Sequence, residues 1–151
     1  MLQNIEILLK KKFGNHVLIY TDSLTGESGV GAAAVCEQVF KATSLPIESF
    51  IFSAEMHAIG MALDIVALRA ESDIVMFSDS LSVVRSLHVH CYLPIIRRLM
   101  HRIHDLQIMG KTINICWIPS HIGIEGNELA DVAAKAASGR PEEPILINYS
   151  D

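Results

Sequence analysis

The sequence has few cysteines, few aromatic residues and no long apolar run. Its three cysteines, Cys36, Cys91 and Cys116, lie far apart in 151 residues. Their spacing argues against a disulfide framework or a CxxC metal knuckle and favours a reducing compartment. No apolar run reaches the roughly 18 residues of a membrane span, and in residues 1–14 the lysines follow the apolar stretch, unlike a secretory signal. We expect an intracellular protein, in the cytoplasm or the nucleus, without a membrane partner.

Basic residues are also scarce. The chain has 12 Lys and Arg against 17 Asp and Glu, a formal net charge of −5, whereas surfaces that bind phosphate backbones are usually basic. If four carboxylates held two divalent cations, the four added charges would bring −5 to −1. Net charge alone therefore does not exclude a nucleic-acid partner.

The length and the apolar content predict one domain. Half of the 151 residues are apolar, which is enough for a core of ordinary size. The chain has no internal repeat, low-complexity segment or linker. We expect a single domain over residues 1–151, with a core at about 16–138 and short flanks at both ends.

The first part of the chain predicts strands. Residues 16–22 (HVLIYTD) are a β-branched run that ends on Asp, and residues 29–40 follow a Gly-containing turn, so the two predict a β-hairpin. Residues 41–47 predict a third strand, which Pro46 would end or confine to an edge of the sheet.

From Ser53 the apolar residues recur with the period of a helix. Residues 53–70 predict an amphipathic helix with Ser53 as its N-cap. Residues 73–79 are a continuous apolar run that ends in a polar pair, which is typical of a buried central strand. The apolar stripe of the helix comprises Met56, Ile59, Leu63, Val66 and Ala67.

The rest of the chain predicts further helices around one more strand. Pro94 begins the longer middle helix and Gly110 ends it, while Asn127 is the expected N-cap of the final helix and Gly139 lies past its end. The order β, β, β, α, β, α, α, β, α predicts an α/β fold with a mixed sheet covered by helices. The expected elements are helices at 80–87 and 94–109, a last strand at 111–119 and a helix in 126–139.

Four carboxylates lie near the ends of these elements. Asp22 and Asp79 each follow an apolar run, Glu55 lies in the first turn of the first helix, and Asp131 lies in the first turn or so of the last. Singly, each has a structural explanation: a turn after a strand, a charge that complements a helix dipole, or an ion pair of Asp131 with Lys135.

Together, the carboxylates predict a metal site. The carboxyl ends of adjacent central strands open at one edge of a mixed sheet, where Asp22 and Asp79 would lie side by side and repel each other. A hard divalent cation, which takes oxygen ligands, is the simplest explanation for such a group. Two ions about 3.5 to 4 Å apart can clamp a phosphodiester for in-line attack.

The most specific motif is PSHIGIEGNELAD at residues 119–131. With shorter motifs in matching order, it makes the chain resemble the ribonuclease H type 1 domain, and specifically the version found in reverse transcriptases of non-LTR retrotransposons. The resemblance covers about His16 to Ser138. The motifs are YTDS at 20–23, GVGAAAV at 29–35, SAEMHAI at 53–59, FSDS at 77–80 and WIPSHIGIEGNELADVAAKAA at 117–137.

The resemblance implies a ribonuclease H-like mixed five-stranded sheet, with the first three strands antiparallel, the last two parallel to the first, and helices on its faces. It implies that Asp22, Glu55, Asp79 and Asp131 bind two Mg²⁺ ions, for which Mn²⁺ can substitute. It also implies hydrolysis of the RNA strand of an RNA/DNA hybrid to 5′-phosphate and 3′-hydroxyl ends. The absence of a recognisable N-terminal hybrid-binding module favours a chain linked to reverse transcriptase in a longer polyprotein, although a host enzyme would share the same acidic residues.

The resemblance further implies that His121 is catalytic, assisting proton transfer and product release without binding metal. Gly123 and Gly126 are expected to leave its loop mobile, so that the imidazole can approach the metal site and exchange a proton near neutral pH. Asn127 and Glu128 are expected to fix the start of the last helix, and so the direction of the fourth carboxylate.

One position departs from the family. Ribonucleases H usually have Gly directly after the first Asp, but here Ser23 follows Asp22. That position brings the backbone close to the RNA strand, so the side chain is expected to alter substrate contact or weaken activity. The 2′-hydroxyl separates RNA from DNA, and Ser23, Ser80 and Asn127 are the candidate substrate contacts.

Two features leave alternatives open. The basic face of the helix at 94–109 either tracks phosphates of the DNA strand or is an ordinary solvated face. Residues 88–92 (HVHCY) and 101–104 (HRIH) contain four His and one Cys, but their spacing and the neighbouring arginines disfavour a zinc site. The basic residues are Arg97, Arg98, His101, Arg102 and His104, opposite Ile96, Leu99, Met100 and Ile103.

Two other functions share parts of this pattern. A catalytically idle domain could bind the hybrid or support a polymerase, although it would have no physical reason to keep four carboxylates. A transposase- or integrase-type enzyme would use a similar sheet and acidic site on duplex DNA, but the motif at 119–131 argues against it.

Overall fold

Six strands and five helices make up the described part of the chain. The computed structural model describes residues 2–27, 29–37, 39–47, 49–89, 93–138 and 145–148. The helices are α1 Leu2–Lys12, α2 Ile51–Leu68, α3 Leu81–His88, α4 Pro94–Ile108 and α5 Glu125–Ala137. The strands are β1 Val17–Gly26, β2 Gly29–Cys36, β3 Val39–Leu45, β4 Asp73–Ser78, β5 Thr112–Trp117 and β6 Ile145–Asn148.

The strands form one mixed sheet in the order β5-β4-β1-β2-β3-β6. β1 is parallel to β4 and β4 is parallel to β5, while β2 is antiparallel to both of its neighbours, β1 and β3. The predicted five-stranded mixed sheet with flanking helices is thereby confirmed. The sequence does not predict α1, nor β6, which pairs antiparallel with β3. β6 has only four residues, too few for a periodic signal.

The strand boundaries correct two predictions. β1 does not end at Asp22 but continues for four more residues, because it stays paired with β2 along the hairpin. The predicted second strand at 29–40 is two strands, since β2 ends at Cys36 and Glu37 takes a φ of 55° in the turn before β3. β3 ends directly before Pro46, as predicted.

Both predicted N-caps are wrong because their helices begin earlier. Phe50 precedes α2, so Ser53 is the third residue of that helix. Ile124, which is buried against the sheet, precedes α5 and fixes its start, so Asn127 lies inside the first turn. The carboxylates on both helices consequently lie in the second turn. Gly139, expected past the end of α5, lies outside the described residues.

α2 packs with α3 and α4 on one face of the sheet. Four residues of its predicted stripe, Met56, Ile59, Leu63 and Val66, are fully buried there. Ala67, the fifth, is exposed. The buried stripe holds α2 against β1 and thereby fixes the side chains of its first two turns beside the sheet.

α5 approaches the opposite face through small residues. A Cβ at Gly31 would lie 2.0 Å from the carbonyl oxygen of Ala134, so only glycine allows this close approach of α5 to β2. The approach brings Asp131 to the same region as β1. The packed alanines are Ala33, Ala42, Ala133, Ala134 and Ala137.

α2 bears on the expectation about membrane spans. By length and composition, this helix of 18 residues with a mean hydropathy of 1.5 could cross a membrane. However, 56% of it is buried inside the protein, and it carries the acidic residues Glu55 and Asp64. These features are those of a core helix whose apolar residues face a sheet.

Candidate active site

Three carboxylates from separate elements meet beside the sheet. Asp22 lies on β1 and Asp79 directly follows β4, and these strands are parallel neighbours with Thr21 opposite Ser78. Glu55 comes from the second turn of α2. One oxygen of each of the three carboxylates lies within 4.8 Å of the others. Sequence positions 22, 55 and 79 therefore converge into one acidic group.

These side chains open into a cleft of about 410 Å³, called the carboxylate cleft below. Asp131 and His121 also line it, so all the predicted catalytic residues share one cavity. Asp131 lies outside the tight group of three that the described residues form. The other lining residues are Ser23, Leu24, Ile51, Ser80, Ser120 and Lys135.

Burial and mutual repulsion raise the pKa values of the clustered carboxyls. Burial first, and then the charge of Asp79, raises the pKa of Asp22 to about 7. Burial also raises the pKa of Glu55 to about 8, while a hydrogen bond from Ser23 opposes the rise. Both acidic residues are 5% exposed. Near neutral pH the metal-free cluster therefore holds protons that a divalent cation would displace.

Asp79 experiences opposing influences. Burial raises its pKa and Asp131 adds to the rise, whereas the Asn127 amide and His121 lower it. Asn127 is buried, and its Nδ2 makes no hydrogen bond of ordinary geometry with a described residue. Its amide therefore acts on the Asp79 carboxylate from inside α5 and does not cap that helix.

The cluster fits a hard divalent cation. Oε2 of Glu55 is buried and makes no hydrogen bond with any described residue, which is costly for a carboxylate oxygen unless a cation satisfies it. Asp22, Glu55 and Asp79 offer oxygen ligands only, the donor set of Mg²⁺ and Mn²⁺. A cation among them would offset the burial and repulsion that raise their pKa values.

His121 lies on the loop between β5 and α5, where it is exposed and takes a φ of 55°. Gly123 takes a φ of 83°, a conformation that favours glycine. Gly126 does not belong to this loop, contrary to the prediction. It lies in the first turn of α5, and a Cβ there would be 2.1 Å from the Tyr20 ring. The loop that carries the imidazole therefore ends before α5.

The two predicted serine contacts have partners within the protein. The Ser23 hydroxyl donates to Oε1 of Glu55 at 2.7 Å, and its backbone N–H donates to Oδ1 of Asp22 at 2.8 Å. Ser80 is the N-cap of α3, and its hydroxyl oxygen accepts a hydrogen bond from the Val83 N–H at 3.5 Å. Ser80 is half-buried and Ser23 only 7% exposed, so Ser80 is the more accessible to a substrate.

Sequence reasoning missed Lys135 and Ile51 as lining residues. Lys135 lies one turn after Asp131 on α5, and its i, i+4 spacing predicts a surface ion pair as readily as a place in a cleft. Ile51 is apolar, so its side chain does not suggest a catalytic or binding role. Its position at the cleft depends on where α2 begins. Neither residue could be assigned to the site without the fold.

The basic face of α4 is only partly free. Arg102 donates to the carbonyl of Gly60 at 3.1 Å and pairs with Asp64, so its guanidinium stabilises the packing of α4 on α2. The remaining basic residues of this face stay candidates for phosphate contact or for an ordinary solvated surface. They are Arg97, Arg98, His101 and His104, all exposed.

The structure lends no support to a zinc site in its described part. Nε2 of His88 lies 3.2 Å from the carbonyl oxygen of Ile115, so this imidazole has a backbone partner. Among the described residues, the group of side chains arranged to hold a metal is the acidic one. His90, Cys91 and Tyr92 lie outside the described residues.

Known structures share the fold of this chain. RNase H1 from the halophilic archaeon Halobacterium salinarum superposes with a TM-score of 0.63 and 22% sequence identity, covering 81% of this chain and 96% of that one. LC11-RNase H1, solved in complex with an RNA/DNA hybrid, gives a TM-score of 0.60 at 17% identity, covering 80% and 98%. No curated protein matches the sequence.

At these identities the solved structures establish a shared fold. The family assignment comes from the sequence itself, because the RNase H family model matches residues 14–139. That match includes every carboxylate of the cleft and the loop that carries His121. The chain therefore belongs to the ribonuclease H family.

Proposed function

We propose that this chain hydrolyses the RNA strand of RNA/DNA hybrids and leaves 5′-phosphate and 3′-hydroxyl ends. The observation that carries the proposal is the convergence of Asp22, Glu55 and Asp79 within 4.8 Å in a cleft that also contains Asp131 and His121. Membership of the ribonuclease H family supports it. The hybrid bound in the LC11-RNase H1 structure supports the substrate class.

The proposed cofactor is Mg²⁺, with Mn²⁺ as a substitute. Asp22, Glu55 and Asp79 would hold the cation directly, and Asp131, which lines the same cleft, would complete a site for two ions. When bound, such ions lower the pKa of a coordinated water and neutralise charge on the leaving oxygen. The rigid placement of the ligands by β1, β4 and α2 supports this role.

Hydrolysis adds the oxygen of water to phosphorus and breaks the bond from phosphorus to the 3′ oxygen. The water loses one proton and the 3′ oxygen gains one. His121 is suited to carry a proton between the cleft and solvent, because its imidazole is exposed and lines the cleft. It lies near enough to Asp79 to lower the pKa of that carboxyl.

Recognition of RNA requires a group that contacts the 2′-hydroxyl. Ser80 is the best placed of the predicted contacts, because it is half-buried, lines the cleft and directly follows Asp79. Asn127 is buried beside Asp79 and would act on the substrate only through that carboxylate.

The biological setting that we propose is retrotransposon reverse transcription inside the cell, with this chain linked to a reverse transcriptase in a longer polyprotein. The motif at 119–131, which resembles that of retrotransposon ribonucleases H, supports this setting.

The deciding experiment uses an end-labelled RNA/DNA hybrid with Mg²⁺. The native chain should cut the RNA strand, EDTA should stop the reaction, and Asp79→Asn should be inactive. Asp73→Asn is the matched control, since Asp73 is exposed at the far end of the same strand and should keep full activity. Absence of metal-dependent cleavage by the native chain would favour an idle hybrid-binding domain, and cleavage of duplex DNA would favour a transposase-type enzyme.

A further inference from the structure

We infer that Ser23 is a positioning residue, which holds Glu55 so that one defined oxygen of that carboxylate faces the cation. The inference rests on the proposed function, because it concerns the same carboxylate cleft. It assigns to Ser23 a role inside the protein, instead of the direct substrate contact expected from its position after Asp22.

The contacts of Ser23 tie two carboxylates together. Its hydroxyl donates to Oε1 of Glu55 at 2.7 Å, and its backbone N–H donates to Oδ1 of Asp22 at 2.8 Å. Both distances are those of well-formed hydrogen bonds. Since Ser23 is 7% exposed, little water competes for either bond. One residue therefore fixes one oxygen of each carboxylate.

The two oxygens of Glu55 differ in their partners. Oε2 of Glu55 is buried and makes no hydrogen bond with a described residue, whereas Oε1 is engaged by Ser23. A glutamate side chain has several rotatable bonds, and fixing them in the free protein removes an entropic cost from metal binding. Partners that orient metal ligands in this way typically contribute about 10- to 100-fold to affinity or activity.

The burial of Ser23 argues against direct contact with RNA. To donate to a 2′-hydroxyl, the Ser23 hydroxyl would have to break its hydrogen bond to Glu55. The Glu55 side chain would then be free to change conformation. Ser80, which is half-buried at the same cleft, has no such competing carboxylate partner among the described residues. Positioning of Glu55 is therefore the role that the contacts of Ser23 support.

The test measures Mn²⁺ binding to the full chain by isothermal titration calorimetry, without nucleic acid. Ser23→Ala should weaken binding by about 10-fold. The matched control is Ser44→Ala, because Ser44 is also 7% exposed but lies on β3 and does not line the cleft; it should bind Mn²⁺ like the native chain. Unchanged affinity in Ser23→Ala would overturn the inference.

Cleavage kinetics separate positioning from substrate contact. At saturating Mn²⁺, Ser23→Ala should keep the native KM for hybrid, with a raised Mn²⁺ requirement. A raised KM together with native Mn²⁺ affinity would overturn the inference and make Ser23 a substrate contact. If the native chain binds Mn²⁺ but cuts no hybrid, the proposed function fails while the binding comparison still decides the role of Ser23.

A crystal structure with Mn²⁺ gives a second, independent check. The oxygen of Glu55 that Ser23 does not contact should be the ligand, with the serine hydroxyl still bound to the other. Ligation through the oxygen that Ser23 contacts would contradict the inference.

Discussion

The carboxylate cluster and the His121 loop are built in opposite ways, although both line the same cleft. Asp22 and Glu55 come from regular elements, where burial and hydrogen bonds from Ser23 hold them in place, and Asp79 directly follows β4. His121 is exposed on a turn with a positive φ, followed by Gly123. Metal binding needs fixed ligands, whereas proton exchange with solvent needs an accessible group. The two tasks should therefore respond differently to substitution.

The largest effect is expected from the fixed part of the cleft. Glu55→Gln keeps the size of the side chain but removes an anionic ligand, so hybrid cleavage with Mg²⁺ should fall by at least about 1,000-fold, roughly 4 kcal/mol of transition-state stabilisation. Mn²⁺ binding should weaken in parallel. Glu27→Gln, at an exposed residue of the β1–β2 turn, is the control. If Glu55→Gln retained native cleavage, Glu55 would not be a metal ligand required for activity.

The exposed loop should give a smaller and different effect. His121→Ala should lower kcat by about 100-fold, the typical contribution of a proton-transfer residue, while Mn²⁺ affinity measured by calorimetry stays at its native value. His57→Ala, at an exposed position on α2, should leave both quantities unchanged. A loss of Mn²⁺ affinity in His121→Ala would show that the loop contributes to metal binding. It would contradict the division between metal-binding carboxylates and a proton-transfer histidine.

Some features of the fold and of the cleft can be predicted from the sequence and others cannot. The strands are predictable from apolar periodicity, whereas the grouping of the acidic residues at 22, 55, 79 and 131 follows from the resemblance to the ribonuclease H family. The starts of α2 and α5 are not predictable, and at α5 the burial of Ile124 overrides the capping preference of Asn127, whereas α4 begins at Pro94 as predicted. The hydrogen bond from Ser23 to Glu55 is also invisible in sequence, because it joins residues 32 positions apart.

Gly126 shows the same limit and gives the next prediction. Its sequence context suggests a hinge, but a Cβ there would overlap the Tyr20 ring at 2.1 Å. Gly126→Ala should therefore destabilise the protein by about 1 to 3 kcal/mol, as overpacking does, measured by urea denaturation. Gly26→Ala is the control, since a Cβ at Gly26 meets nothing within 4 Å. If Gly126→Ala were as stable as the native chain, the close contact with Tyr20 would be refuted and Gly126 could again be assigned to the loop that carries His121.

The smallest effect concerns pH and the metal-free cluster. Folding raises the pKa of Asp22 from 3.8 to about 7 and that of Glu55 from 4.5 to about 8. A carboxyl whose pKa is higher in the folded than in the unfolded protein contributes its full stabilisation at any pH below the unfolded-state pKa. This contribution is lost as the pH rises through the folded-state pKa. In EDTA, the Tm should fall by a few degrees between about pH 5 and pH 8.

Asp64 limits the pH range over which the melting temperature reports on the carboxylate cluster alone. Its pKa is lowered, despite an opposing effect of burial, by hydrogen bonds from Lys41 and Arg102, so its contribution is lost as pH falls. Thermal melts between pH 6 and pH 8.5 therefore isolate the cluster, because Asp64 is ionised throughout that range. Glu55→Gln should flatten the fall, and Mg²⁺ should raise the Tm more at pH 8 than at pH 6, since the cation replaces protons that the cluster otherwise holds. A metal-free Tm that rises with pH across this range would contradict the raised pKa values, and with them the view that burial of these acidic groups prepares the site for a cation.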